Sequence, residues 1–286
     1  MTIRNPIEWA TDQLKLASLV VGSASRAGVG TEALDSRVPE VRPIRIADLG
    51  DVLARGLDDF AAYRTDVIFL CIVYPVVGLV LGRLAFGVGM LPLLFPLASG
   101  FALIGPFAAV GLYEMSRRRE QGGNIAWPDA FGVIGSRSFG AIVVLGLLLV
   151  AIFLFWLVAA EAIYEATLGP EPPASIGSFA RDVFTTGAGW TMILVGVGVG
   201  FLFALLVLVI SVVSFPLLLD RDVAIGTAVS TSVRAVIVNP VPIAVWGLIV
   251  AGGLVVGSIP LLLGLIIVMP VLGHATWHLY RKVVPS

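Results

Sequence analysis

From residue 67 onward the chain alternates long apolar stretches with short polar ones. A helix needs about 20 apolar residues to cross the hydrocarbon core of a bilayer. On that measure the pattern predicts six spans, at about 67–84, 91–115, 139–162, 190–218, 241–257 and 260–279. Polar segments separate the second from the third and the third from the fourth. The last two are cut from one charge-free run, Ala235 to Gly273, which is long enough for two crossings. Ser258-Ile259-Pro260 marks the turn there, because proline breaks a helix and restricts the residue before it.

Short segments of helical periodicity precede spans one, three and five. In 47–64 an apolar stripe of Leu49, Val52, Leu53, Gly56, Leu57 and Phe60 stands opposite Asp48, Asp51, Arg55, Asp58 and Asp59, the pattern of a helix lying on a membrane or packed under the bundle. WPDAFGVIGSRS (127–138) has Pro128 placed for a helix start. AIGTAVSTSVRAVIVNP (224–240) carries Ile225, Val229, Val233 and Val236 at helical spacing. The predicted unit is an interfacial helix followed by a transmembrane hairpin, and it occurs three times. Spans two and six agree in detail: Pro106, Tyr113, Glu114 and Arg117 correspond to Pro270, Trp277, His278 and Arg281. Same-orientation repeats imply a rough axis along the membrane normal. The expected fold is therefore all-α, a polytopic six-helix transmembrane bundle over 45–286. An amphipathic helix at 1–21 and a flexible linker at 22–44 precede it.

Composition agrees: 58% hydrophobic, 13% charged, mean hydropathy +1.01, against about 25% charged in a soluble domain. Of the 18 Lys and Arg, six spans place 16 on one side, leaving Arg83 and Arg181 on the other. By the positive-inside rule both termini are cytoplasmic. No block of like charge exceeds Arg117-Arg118-Arg119, so nucleic acid is not an expected partner. The first apolar span begins too far along the chain to be the core of a signal peptide, and none is expected. The single cysteine, Cys71, excludes an intrachain disulfide and a zinc-type cysteine pattern.

At GPFAAVGLYEMSRRRE (105–120), SFPLLLDRDVAIGTAVSTSVRAVIVNP (214–240) and GHATWHLYR (273–281) the chain resembles a family of predicted bacterial integral membrane proteins, domain of unknown function 2189, over roughly residues 40–283. The resemblance implies a six-span, multi-pass protein of the bacterial inner membrane with no assigned activity. Some members carry an oxidase-subunit-I-like label. Two histidines cannot hold two haems and a copper, so that label does not transfer.

Candidate chemistry is sparse. His274 and His278, the only histidines, share one helix face, where they cannot both bind one haem iron. They could share a small ion given a third ligand, with Cys71 and Glu114 as candidates. The plainer reading makes Trp277, His278, Tyr280 and Arg281 an interfacial belt. Glu114, Arg117, Asp220, Arg221, His274 and His278 then form a polar cytoplasmic rim, Glu114 solvated and paired with Arg117 or Arg118. Gly78–Gly82, Gly196–Gly200 and Gly253–Gly257 are GxxxG pairs, which let helices approach closely. No catalytic motif appears, and no cofactor is expected. The sequence reads as a non-enzymatic membrane protein whose partners are the lipid bilayer and another membrane protein or a second copy. It would be a scaffold or assembly factor. Alternatives are a transporter or channel for a small neutral or lipidic solute, and metal or haem handling through His274 and His278.

Overall fold

The computed structural model describes residues 39–63, 91–123 and 126–285, with a few positions between 72 and 83. The predicted N-terminal helix, most of the linker and most of the first span lie outside the described residues, as does Cys71. Those described form ten α-helices. They are α1 (Ile46–Ala62), α2 (Leu94–Ala108), α3 (Val110–Glu120), α4 (Phe139–Thr167), α5 (Ile176–Thr185), α6 (Gly187–Ser211), α7 (Ser214–Asp220), α8 (Ile225–Val238), α9 (Pro240–Ser258) and α10 (Leu265–Val283). A 3₁₀ turn at Leu91–Leu93 leads into α2. Trp127–Gly135 is also 3₁₀ rather than the α-helix its pattern predicts.

Among the described residues four stretches are long and apolar enough to cross a membrane: Leu91–Glu120, Phe139–Thr167, Gly187–Asp220 and Pro240–Ser258. The first is two helices in line. Pro106 lacks an N–H and disturbs the ladder, and the chain restarts as α3 after Ala109. Gly122 has a positive φ and ends α3 in the left-handed conformation that glycine accepts without steric cost. Beyond α4 the chain turns through 168–175 into α5, whose cap is the Ser175 hydroxyl accepting from the Ser178 N–H. The Thr186 hydroxyl caps α6 in the same way, accepting from the Gly189 N–H. Leu147, Phe155, Leu194, Phe201 and Leu248 are exposed on these long helices, as expected of surfaces solvated by lipid.

The core is concentrated at one end. There α1, α3, α7 and the second half of α10 pack around Phe215, Leu217, Leu218, Trp277 and Tyr280, all fully buried. Helix α1 runs antiparallel to α10, with Asp51 beside Lys282 and Asp59 beside His278. Asn239 ties in the segment ahead of α1: its Oδ1 accepts from the Ile44 N–H at 2.6 Å, and its Nδ2 donates to the Arg42 carbonyl at 3.0 Å. Helix α1 is thus packed under the bundle, and its polar face is not wholly turned to solvent. Asp59, placed opposite the apolar stripe by the pattern, is only 5% exposed, while Leu57 from the stripe is exposed.

A candidate functional site beneath the membrane spans

At this end the chain buries a polar cluster centred on Asp59. The Ser116 hydroxyl donates to Asp59 Oδ2 at 2.5 Å, His278 Nε2 donates to the same oxygen at 2.9 Å, and Arg119 donates to Oδ1 at 2.5 Å. Arg119 also stacks over the Tyr63 ring at 5.7 Å. His274 Nδ1 lies 2.8 Å from Ser116 Oγ. An ionised carboxylate only accepts, so the serine proton points to Asp59 and His274 must donate from Nδ1. Its Nε2 is then a bare acceptor, buried and without a hydrogen-bond partner among the described residues, although the Leu112 backbone is near enough to act on the ring.

A second network surrounds the first. Glu114, 1% exposed, accepts from Arg117 at 2.8 and 3.1 Å and from Arg118 at 2.6 Å, and Arg118 also bonds Asp129. Glu120 accepts from the Trp277 indole and from Arg281, while Asp220 accepts from Tyr280 at 2.6 Å and from Arg281. Arg221 bonds the Pro285 carbonyl. A polar pocket of about 530 Å³ opens beside these groups, lined by Arg55, Asp58, Asp59, Arg119, His278 and Lys282 among others.

The belt expected at Trp277, His278, Tyr280 and Arg281 is split: two of its members are buried in protein and two line the polar pocket. Trp277, Tyr280 and His274 are fully buried, and Glu114 is paired but not solvated. Burial of these groups is tolerated because each carboxylate meets two or more donors. Asp59 is the buried partner of this cluster that sequence reasoning missed. A signal did exist: α1 carries four aspartates against one arginine, and the end of α10 carries two histidines, Arg281 and Lys282. Glu114, offered as a metal ligand, is turned to Arg117 and Arg118. No group of three or more His, Cys, Asp or Glu among the described residues is arranged to hold a metal. Of the glycine pairs, Gly253 and Gly257 face Val268 and Leu265 of α10, and Gly200 faces the Trp156 ring; a Cβ at Gly196 would meet nothing within 4 Å. Gly82 lies outside the described residues.

Burial pushes the Asp59 carboxyl up, but the hydrogen bonds from His278 and Ser116 outweigh it and hold it below the ordinary carboxylate value. Asp51 is lowered as well, chiefly by its hydrogen bond with Lys282. A carboxylate depressed in the fold contributes stability that is fully present above its unfolded pKa, about 3.9, and lost as pH falls through the folded value. The part of the docking of α1 that rests on these carboxylates is therefore expected to be lost only below about pH 4. Hydrogen exchange across 46–62, corrected for intrinsic rates, would check this. Loosening centred near pH 6 would mean that the histidines control docking instead.

A second cavity, about 400 Å³, lies between α2, α6, α9 and α10. Gly105, Ala204, Leu208, Trp246, Ala251 and Met269 are among its walls. Two of its three hydroxyls are engaged by their own helices, Ser211 donating to the Val207 carbonyl and Thr276 to the Leu272 carbonyl; Tyr113 brings the third and Trp246 an indole N–H.

The long apolar helices, the lipid-facing side chains and the polar end together define an integral, multi-pass membrane protein. Residues 94–220 match the family described as predicted integral membrane protein (DUF2189), the family that the sequence resembles. The matched region takes in α2 to α7, a narrower range than the quoted motifs, and the GHATWHLYR motif lies beyond it. Comparison with curated proteins and with solved structures finds no match.

Proposed function

We propose that this chain is a non-enzymatic membrane protein that holds an uncharged, lipidic ligand between its spans. The observation that carries this is the 400 Å³ cavity among α2, α6, α9 and α10. Its size is that of a small-molecule site. Its walls are almost wholly apolar, and the Ser211 and Thr276 hydroxyls offer no free donor. Such a site suits a hydrocarbon chain better than a hydrogen-bonding solute. The arrangement fits a carrier for lipidic solutes in the inner membrane, with the polar end and both termini in the cytoplasm, as the basic residues favour.

A scaffold role draws on residues 1–44, most of which lie outside the described ones. Exposed apolar side chains on the spans are satisfied by lipid and do not by themselves call for a protein partner.

The test is lipid retention. A Cβ at Gly105 would meet only the tip of Met269, 3.9 Å away, so Gly105→Phe places a ring in the cavity. Protein delipidated in detergent and examined by native mass spectrometry should keep about one lipid per chain, and Gly105→Phe should lose it at least about five-fold while unfolding at a similar temperature. Equal lipid content in the two proteins would sink the reading.

A further inference from the structure

The two-span reading of 235–273 requires the turn between α9 and α10 to reach water on the far side of the membrane. Nothing about the turn is suited to water. Ile259 and Leu261 are each 75% exposed and Leu263 is 56% exposed. The only hydroxyl nearby, Ser258, donates back to the Leu254 carbonyl. The contrast is with 168–175, which carries Glu171 and a capping serine.

Most backbone N–H groups of the turn are paired within it. The N–H groups of Ile259, Leu261, Leu262, Leu263 and Leu265 donate to the carbonyls of Val256, Ile259, Ser258, Pro260 and Leu262. Ile266, Ile267 and Val268 continue the pattern onto Leu263 and Gly264, and Pro260 has no N–H. Leu261 and Leu262 adopt left-handed φ of 52° and 68°, where glycine or asparagine is usual. That conformation closes the hydrogen bonds while keeping apolar side chains on the outside. In hydrocarbon every unpaired polar group costs several kcal/mol, so a turn of this kind is what a lipid-embedded tip requires.

Reach gives an independent argument. Gly247 packs on Leu208, to within 3.0 Å for an added Cβ. From Leu208 up to Trp190, α6 rises about 27 Å, whereas from Gly247 up to Leu261 the hairpin rises about 20 Å. On the other flank Met269 stands beside Gly105, and neighbouring Gly100 and Phe107 pack on Phe153 and Gly146 of α4. From that level α4 climbs another 20–25 Å or so to Glu165, against about 12 Å from Met269 to Leu261. Both flanks leave the tip on the order of 10 Å short of the polar ends of α4 and α6.

We infer that α9 and α10 form a re-entrant hairpin, which enters the hydrocarbon from the side of the polar end and turns back inside it, presenting Ile259, Leu261 and Leu263 to lipid acyl chains. The first half of α9 and the second half of α10 are taken up in the polar end, which is why helices long enough to cross do not do so. The inference does not depend on the lipidic-ligand reading.

Cysteine accessibility tests it in a Cys71→Ser background, since Cys71 is the only cysteine. Leu261→Cys is compared with Ala174→Cys in the connector after α4 and Gly50→Cys on α1, in nanodiscs that open both faces to a membrane-impermeant maleimide. The two comparison sites should label readily and Leu261→Cys at least ten-fold more slowly, with all three equal in denaturant. Labelling of Leu261→Cys at the rate of Ala174→Cys would overturn the proposal. A nitroxide on that cysteine should be reached by oxygen and not by a water-soluble nickel complex. Poor access to both would place protein, not lipid, over the tip and also overturn it. If Leu261→Cys does not fold, Ile259→Cys serves in the same measurements.

Discussion

Asp59→Ala will lower the stability of the detergent-solubilised protein by about 2–4 kcal/mol, the largest effect expected of any single polar substitution here. The carboxylate is 5% exposed and is the common acceptor for Ser116, His278 and Arg119. Truncation leaves the serine and histidine donors without their acceptor in a site that water hardly enters, which costs more than the bonds themselves contribute. Arg119 is 36% exposed at its side chain and can turn to solvent, which keeps the figure below the upper limit for a fully buried pair. Asp59→Asn retains the shape and one acceptor and should lose about half as much. Thermal or denaturant unfolding of the three proteins, followed by hydrogen exchange in α1, measures both the size and the place of the effect. Equal stability of Asp59→Ala and the parent would mean that α1 is held by apolar packing alone.

Gly56→Ala should cost about 1–3 kcal/mol, although alanine is the better helix former. An added Cβ would sit 2.6–2.8 Å from Cβ, N and Cα of Ala275. Those are mostly backbone atoms of α10, so the two helices would have to part and the bonds of Asp59, one turn further along α1, would lengthen with them. Gly50 provides the control on the same helix. Nothing lies within 4 Å of a Cβ there, and Gly50→Ala should stabilise by about 0.5–1 kcal/mol through helix propensity. Opposite signs for one chemical change, read as unfolding midpoints side by side, would identify the close approach of α1 and α10 as the cause. The same sign for both would remove that explanation.

The apolar runs were legible because hydropathy along a chain directly reports which residues can sit in hydrocarbon; α4 lies close to its predicted bounds, and α6 and α7 together cover 190–218. Depth was not legible. The charge-free run from Ala235 to Gly273 is long enough for two crossings, but the sequence does not say that half of α9 and α10 would be claimed by the polar end. The histidines stood out by number and spacing, whereas their partners did not. Asp59 lies on the side of α1 that periodicity assigns to solvent, and Ser116 is an unremarked residue between Met115 and Arg117. Amphipathic reasoning divides apolar from polar faces, and it fails where a buried interface is itself built from ion pairs.

The pairing of α1 with α10 also sets an order in time. Asp59 and His278 are 219 residues apart, and about three quarters of the chain is made between them. At about 5–20 residues per second, α1 waits roughly 10–40 s after its own synthesis for the helix that brings His278 and Lys282 to its aspartates. The spans can enter the bilayer one after another, but the polar end closes last. A nascent chain stalled before residue 274 would hold α1 undocked, its acidic face open to the aqueous phase and to whatever cationic surface lies nearby.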